Sequence, residues 1–258
     1  MELEKTRFIK NLRSARRGLS PGLGGTRNEH LKILLEDNEG LDALSLMAQY
    51  FAEGNVPTDI IKALRLGKMT ALRKTASKVR GLNAGETLRR LVAKTLAQQL
   101  GKEFEAAIAP YNFGLASHGG AEALVHFLQS IIEANPQQVI TKVDGIGADD
   151  HIFRATMLDK LLELPTACKI LPFVRLFYAS ISNYVWTDVK GVPRIVRQGE
   201  GGEQGDLLIP ASFCLGIHDA LHNINSSLHA NEYVVAYLDD VYIIAGRDCT
   251  KTIHENYL

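Results

Sequence analysis

Two adjacent carboxylates, Asp239 and Asp240, lie inside the apolar run YVVAYLDDVYIIA, which covers residues 233–245. Another carboxylate, Asp144, ends the short β-prone run VITKVD. We expect no lysine to lie close enough to neutralise these charges, so a cation must hold them together. Mg²⁺ is the natural choice, because it prefers hard oxygen ligands and keeps open positions for water and phosphate.

Two such ions about 3.5–4 Å apart can activate a 3′-hydroxyl and stabilise a leaving pyrophosphate. The residue types suggest this chemistry if the strands that end at Asp144 and Asp239 are neighbours. The alternative for Asp239 and Asp240 is an ordinary turn, since Asp is common in turns. The flanking residues are apolar at nearly every position, which favours a central hairpin covered on both faces.

The elements that would position these residues change character along the chain. The first third is predicted to be helical, with a capping-box pattern at Thr26 and Glu29 and helix ends at Gly54 and Gly67. LRKTASKVRGLNAG is predicted to be a basic loop or a short ribbon, and two more helices follow it. From residue 137 the predicted order is strand, two helices, hairpin, helix, hairpin. The sequence therefore predicts an α+β layout over a mostly antiparallel sheet.

Composition limits the function classes. The chain has 258 residues, enough for one large domain or two small ones, and its formal net charge is zero. Net charge alone therefore predicts no polyanionic partner. However, eleven Lys or Arg residues and a single acid, Glu86, lie between Lys62 and Lys102. We interpret this stretch as a basic segment on a neutral protein.

The compartment is indicated only broadly. The three cysteines have neither zinc-ligand spacing nor a disulfide pattern, which suggests a reducing environment. The N-terminal segment has no apolar stretch, so we expect no secretory signal, and no apolar run reaches the about 18 residues that a membrane span needs. We expect an intracellular protein with no membrane partner, in either the nucleus or the cytoplasm.

A glycine-rich loop, GEGGEQGDLLIPASF, lies between the two predicted hairpins. Its glycines give a backbone that a ligand can approach closely. The alternative is a long connection from hairpin to helix in which Asp206 is the N-cap. Gln204, Gly205 and Asp206 are followed by Pro210 and lie between two acidic strands. This order of motifs indicates a functional site more specifically than any one of the motifs does.

Taken in order, these motifs resemble a reverse transcriptase of the non-LTR retroelement or group II intron type. YLDD is similar to that family's Tyr-x-Asp-Asp box, EQGDLLIP resembles its Gln-Gly-Asp-Pro loop, and KVDGIGADDHI resembles its first aspartate motif. KVRGLNAGETLRRLVAK is similar to its basic fingers motif, and NFGLASHGGAEALVH resembles the segment before the first aspartate. The resemblance covers roughly residues 22–246. It implies an α+β polymerase right hand with palm and fingers, in which helices pack on an antiparallel palm sheet.

The resemblance also implies roles for individual residues. Asp144 and Asp239 match the two principal metal ligands, and Asp240 matches the second Asp of the box, a carboxylate near the metals. The implied cofactor is a pair of Mg²⁺ ions, with Mn²⁺ as the alternative. The residues implied in nucleotide and template binding are Lys68, Arg73, Lys74, Lys78, Arg80, Asp149, Gln204 and Gly205.

Within that set, Arg80 matches the fingers arginine that holds the triphosphate. Gln204 and Gly205 match the loop that packs on the template and the incoming nucleotide. The other basic residues of the set could be held together by phosphate-rich ligands or could form a solvated face. Arg89, Arg90 and Lys94 are at helical spacing and could equally be surface charges. The implied partners are an RNA template, a DNA primer and deoxynucleoside triphosphates.

Several positions depart from the family pattern. Asp149 occupies the position of an aromatic residue that usually lies under the sugar and excludes a ribose 2′-hydroxyl. Leu207 replaces the usual proline of the loop, and Gly81 replaces the usual proline of the fingers motif. The family has a thumb after the Asp-Asp hairpin, and we expect this chain, which ends at Leu258, to lack one.

The predicted domains are an N-terminal helical extension (1–60), a fingers-like basic region (61–136) and a palm (137–258). The leading hypothesis is an RNA-directed DNA polymerase fragment that uses two metal ions. The second is a catalytically decayed retroelement remnant that keeps the fold and at most binds nucleic acid. The third is a palm-type nucleotidyl cyclase or a nuclease with paired carboxylates, which would need neither the glycine-rich loop nor the basic segment.

Overall fold

The computed structural model describes residues 1–73, 79–115, 119–145 and 147–257. The α-helices are α1 (Lys5–Ser14), α2 (Asn28–Lys32), α3 (Asn38–Ala52), α4 (Thr58–Leu64), α5 (Thr87–Gln99), α6 (Gly101–Ile108), α7 (Gly120–Ala134), α8 (Ala148–His151), α9 (Arg154–Leu162), α10 (Leu171–Tyr178), α11 (Ile209–Ser227) and α12 (Arg247–Tyr257). Short 3₁₀ helices cover Ile33–Glu36 and Ala167–Ile170. No described helix is long and apolar enough to cross a membrane.

The strands form two separate sheets. They are β1 (Leu66–Arg73), β2 (Val79–Ala84), β3 (Val139–Asp144), β4 (Ser182–Thr187), β5 (Pro193–Gln198), β6 (Tyr233–Tyr237) and β7 (Asp240–Ala245). One sheet is antiparallel with the order β3-β7-β6, and the other has the order β2-β1-β4-β5. In the second sheet β1 and β4 are parallel, whereas the outer pairs are antiparallel.

A single helical core joins the N-terminal helices to the rest of the chain. Phe8 and Leu12 of α1 are fully buried, and α1 packs on α5. Phe51 of α3 meets Phe173 and Phe177 of α10 edge to face, with ring centroids 5.6 and 5.9 Å apart. Such aromatic pairs contribute about 0.5–1.5 kcal/mol each beyond their buried area. The helices of residues 1–60 are therefore integral to the core.

The two glycines predicted to end helices have different structural roles. Gly54 follows α3 with φ of +72°, the left-handed conformation expected after a helix C-terminus. Gly67 does not end a helix, because α4 stops at Leu64 and Gly67 lies within β1. An added Cβ at Gly67 would collide with the Asn83 side chain of β2, so this glycine allows two strands to approach closely.

Two further predictions need correction. The N-cap predicted at Thr26 is wrong, since α2 begins at Asn28 and the Thr26 carbonyl accepts a hydrogen bond from the Thr87 hydroxyl. The single predicted sheet is also wrong, because the β4–β5 hairpin pairs with β1 rather than with the sheet that carries the aspartates. Alternating apolar residues identify strands but do not specify which strands pair.

Candidate active site

The register between β3 and β7 brings the two acidic segments together. Asp144, the last residue of β3, lies opposite Asp240, the first residue of β7. Directly opposite residues of an antiparallel pair have Cβ atoms about 4.5–5.5 Å apart on the same face of the sheet. The two-residue turn between β6 and β7 consists of Leu238 and Asp239, so Asp239 immediately precedes Asp240. Asp144 therefore pairs with the residue that directly follows Asp239, although β6, the strand that leads into Asp239, pairs with β7 and not with β3.

A cleft of about 410 Å³ opens at this end of the sheet. Asp144 and Asp239 line it, and α8 adds two further acids from the segment after β3. Arg80 of β2 and Gln204 of the glycine-rich loop also line it. Four carboxylates and one guanidinium of the described residues therefore line a single concave space, namely Asp144, Asp149, Asp150, Asp239 and Arg80.

Asp240 has a positive partner. Lys142 donates to its carboxylate at 2.8 Å, and this hydrogen bond raises the pKa of Lys142 above its ordinary value. Lys142 lies two residues before Asp144 on β3, so both side chains point to the face on which Asp240 lies. The expectation that no lysine lies near the carboxylates is therefore wrong. Asp144 and Asp239 form no ion pair within the described residues.

Asp149 is half-buried in α8, directly beside the cleft. Burial raises the pKa of its carboxyl group, and the charges of Asp239 and Asp150 raise it further, whereas Arg80 opposes the rise. The charged form of Asp149 is thus electrostatically unfavourable in the metal-free protein. This is the position that an aromatic residue usually occupies in the family that the sequence resembles.

A buried ion-pair network fixes the glycine-rich loop beside the cleft. Arg89 of α5 is only 2% exposed, and it donates to Glu203 at 2.7 Å and to Asp206 at 2.8 Å. Tyr178 also donates to Asp206, at 2.8 Å, and the guanidinium lies 3.7 Å from the centroid of the Phe177 ring. Burial would lower the pKa of Arg89, but the neighbouring acids outweigh it and raise the pKa, so Arg89 stays charged.

This network corrects two interpretations of the sequence. Arg89 is not a surface charge. It precedes the buried residues Val92 and Leu96 by three and seven positions, and this helical spacing is the sequence signal that Arg89 lies on the buried face of α5. Asp206 is not the N-cap of α11, which is Leu208. Its Oδ1 instead accepts a hydrogen bond from the Leu208 amide at 3.0 Å, so the carboxylate also orders the turn before the helix.

Arg154 fixes the beginning of the same loop. Its buried guanidinium donates to the Gly201 carbonyl at 2.8 Å and to two serine oxygens at and just before the start of β4. The Gly202 amide donates to the Asp149 carbonyl at 2.8 Å, which ties the loop to α8. Gly201 has φ of +72°, and an added Cβ there would collide with the α8 backbone. The loop is therefore anchored by hydrogen bonds at both ends.

Gln204 and Gly205 occupy different surroundings. Gln204 lines the cleft, and its Oε1 is buried with no hydrogen-bond partner among the described residues. A buried polar atom without a partner is unfavourable, and a ligand that donates to it would remove the penalty. Gly205 has φ of +103° and packs against the Asn83 carbonyl of β2, where it lines a separate small cavity with Arg89. Of these two residues, Gln204 lines the cleft with the aspartates, whereas Gly205 does not.

The predicted basic cluster is only partly brought to the cleft. Arg80 lines it, whereas the lining formed by the described residues includes neither Lys68 nor Arg73, which are exposed on β1. The physical reason is that β2, rather than β1, lies against the glycine-rich loop. Lys74 and Lys78 lie outside the described residues.

The chain was compared with protein families and with curated proteins. No protein-family model matches the chain. The chain is 22% identical over 237 residues to the retrotransposable element SLACS 132 kDa protein of Trypanosoma brucei gambiense. The match covers 92% of this chain and 20% of that protein.

Solved structures add a likeness in fold. Telomerase from Candida albicans, in complex with the TWJ fragment of telomeric RNA, matches with a TM-score of 0.55 and 15% identity over 78% of this chain and 41% of that chain. Apo telomerase from Candida tropicalis, truncated from its C-terminal domain, matches with a TM-score of 0.51 and 11% identity over 75% of this chain and 46% of that chain.

The chain has a reverse transcriptase-like fold. The predicted α+β class, with palm and fingers and helices packed on an antiparallel sheet, is confirmed by these neighbours and by the β3-β7-β6 sheet. This reverse transcriptase-like domain spans 20% of the curated relative and less than half of the telomerase chains that it matches. The likeness therefore establishes the architecture around the cleft and leaves its chemistry to be argued from the residues.

Replacing Arg89 should destabilise the domain strongly. Arg89→Met leaves the buried Glu203 and Asp206 without their counter-charge, and breaking such a pair lowers the free energy of unfolding by about 3–5 kcal/mol. Lys94→Met, in the same helix but less buried, is the matched control and should change it by about 0.5 kcal/mol or less. Urea denaturation measures both variants. Equal losses in the two would contradict the structural role assigned to Arg89.

Removing the Asp149 charge should stabilise the domain when EDTA excludes divalent ions. The pKa of Asp149 is raised above its ordinary value of 3.8 on folding, so its charge opposes folding at neutral pH. Asp149→Asn should raise the melting temperature at pH 7 by about 1–3 °C. The gain should shrink as the pH falls through the raised pKa and vanish below the ordinary value. The exposed control Asp59→Asn should show no such gain, and a pH-independent gain would refute the electrostatic cause.

Proposed function

We propose that the reverse transcriptase-like domain catalyses RNA-directed DNA synthesis by adding deoxynucleotides to the 3′-hydroxyl of a primer. The observation that carries this proposal is the convergence of Asp144 and Asp239 in one cleft with Arg80, which reaches it from β2. The sequence likeness to a retrotransposable element protein supports the same reaction. The fold likeness to a telomerase solved with an RNA fragment favours a nucleic-acid partner that includes RNA.

The donor set at the cleft fits a hard divalent cation. Asp144 and Asp239 supply carboxylate oxygens without an ion-pair partner in the described chain, whereas Asp240 is held by Lys142. Two Mg²⁺ ions, or Mn²⁺ in their place, would activate the primer hydroxyl and stabilise the leaving pyrophosphate. While it is paired with Lys142, Asp240 does not act as a direct ligand.

The remaining residues of the cleft would bind and orient the substrates. The planar guanidinium of Arg80 suits the triphosphate of an incoming nucleotide, because it can donate two parallel hydrogen bonds to phosphate oxygens. The unpartnered Oε1 of Gln204 can accept a hydrogen bond from a base or a sugar hydroxyl. The Arg89 network acts indirectly, since it holds the residues on both sides of Gln204.

A decayed remnant that keeps the fold and at most binds nucleic acid is the second candidate, and the observation that favours it is Asp149. A partly buried carboxylate lies where an apolar ring would support the sugar of the nucleotide, and its charge acts on Asp239. A charged side chain there offers no apolar surface to the sugar and adds repulsion toward the triphosphate. Leu207, exposed where the loop of the family usually has proline, is a further departure.

Single-nucleotide primer extension separates the two candidates. The protein should be in excess over a DNA primer annealed to an RNA template, so that weak binding does not limit the reaction. With Mg²⁺ or Mn²⁺ the unmodified chain should add the complementary deoxynucleotide. Asp144→Asn and Asp239→Asn should each lower the single-turnover rate by at least about 100-fold, because stabilisation of the transition-state charge is lost.

Asp59→Asn, an exposed carboxylate paired with Lys62, is the control and should leave the rate unchanged. If the unmodified chain adds no nucleotide with either ion while it still binds the primer–template in a fluorescence anisotropy assay, the polymerase proposal fails and the remnant is favoured. Extension that survives Asp144→Asn or Asp239→Asn would also overturn the assignment of the cleft.

A further inference from the structure

The turn that carries Asp239 has an unusual backbone conformation. Leu238, its first residue, has φ of +54°. Residues with a Cβ adopt this left-handed region rarely and with an energetic penalty, so such a conformation persists only where the surrounding structure imposes it. Asp239 follows directly in the chain, and its direction therefore depends on what holds Leu238.

The side chain of Asn112 binds both backbone groups of Leu238. The Leu238 amide donates to Asn112 Oδ1 at 3.1 Å, and Asn112 Nδ2 donates to the Leu238 carbonyl at 3.1 Å. Asn112 Oδ1 also accepts a hydrogen bond from the Gly114 amide at 2.9 Å, which orders the amide itself. Asn112 is 8% exposed, so water does not compete for these bonds.

Backbone pairing places Asn112 beside the turn. The Ala236 amide of β6 donates to the Tyr111 carbonyl at 2.7 Å, and the Phe113 amide donates to the Ala236 carbonyl at 2.9 Å. The next residue, Gly114, lies so close that an added Cβ would be 2.7 Å from the Leu238 amide nitrogen. Residues 111–114 therefore run along β6 and end against the turn.

We infer that Asn112 is a positioning residue that holds the Leu238–Asp239 turn in its left-handed form and thereby directs Asp239 toward Asp144. The inference rests on the proposed metal-dependent function. An amide suits this role because it supplies one donor and one acceptor at a fixed spacing and carries no charge. A carboxylate at position 112 would lose the donor and add a further negative charge beside Asp239.

Two variants of Asn112 test the inference with two readouts. Asn112→Ala removes both hydrogen bonds, and Asn112→Asp keeps the shape but replaces the donor. In metal-free protein that circular dichroism shows to be folded, the Leu238 amide should exchange with deuterium much faster in the alanine variant than in the unmodified chain. Mn²⁺ titration should give an affinity about tenfold weaker in Asn112→Ala, the size usual for losing a partner that orients a metal ligand. Asn112→Asp should weaken the affinity less, because its added negative charge attracts the cation and partly offsets the lost orientation.

A suppressor experiment separates positioning from general support of the fold. Glycine adopts a positive φ without penalty, whereas alanine does not. In the Asn112→Ala background, Leu238→Gly should therefore restore much of the Mn²⁺ affinity, and Leu238→Ala should not. Both changes remove the Leu238 side chain, so their difference reports the backbone conformation alone. Equal effects of the two would overturn the inference.

Asn11→Ala is the matched control for loss of a buried asparagine. Asn11 is 4% exposed and donates to Thr95 and Gln98, away from the turn. It should lower the melting temperature and leave the Mn²⁺ affinity unchanged. An Mn²⁺ affinity that stays unchanged in both Asn112 variants, or unaltered exchange at Leu238 in Asn112→Ala, would refute the positioning role.

Failure of the proposed function shows itself differently. If the unmodified chain binds no Mn²⁺, or if Asp144→Asn leaves its Mn²⁺ binding unchanged, the proposed metal site is absent. The role of Asn112 in positioning a metal ligand then fails as well. If the unmodified chain binds the ion normally and the Asn112 variants do so equally well, only the inference about Asn112 fails. The two results are therefore distinct.

Discussion

The antiparallel register between β3 and β7 is the constraint on which the candidate site depends. Apolar pairs on the covered face of β3 set it, among them Val139 with Ala245 and Val143 with Val241, and Ala245 is fully buried. A slip of one residue would turn every side chain of β3 to the opposite face and remove Asp144 from its partners. Hydrophobic burial along the strands thus determines where the charges at their ends meet.

In the described part of the chain, the charged groups that support the fold have oppositely charged partners, whereas carboxylates at the cleft do not. Arg89 balances Glu203 and Asp206 in the interior, and Lys142 balances Asp240 at the sheet end. The carboxylates of Asp144, Asp149 and Asp239 have no such partner within hydrogen-bonding distance among the described side chains. Their mutual repulsion would be relieved by a bound cation, which is the physical basis of the metal-dependent function that we propose.

Local patterns in the sequence predicted the architecture better than the contacts that support the site. The order of acidic strands, glycine-rich loop and basic segment carried the resemblance that implied the fold, whereas the sequence left open whether the acidic strands are neighbours. Arg89 and Glu203 are 114 residues apart, and Asn112 and Leu238 are 126 apart, so no local pattern marks either pair. Lys142 is different, because strand periodicity already placed it on the same face as Asp144.

Anomalous diffraction from crystals soaked in Mn²⁺ tests the central claim most directly. The account predicts an anomalous peak in the cleft within about 2.5 Å of a carboxylate oxygen from both Asp144 and Asp239. The peak should be absent from crystals of Asp144→Asn prepared in the same way. A peak held only by Asp149 and Asp150, or no peak at the end of the β3–β7 pair, would contradict the claim that this register builds a metal site.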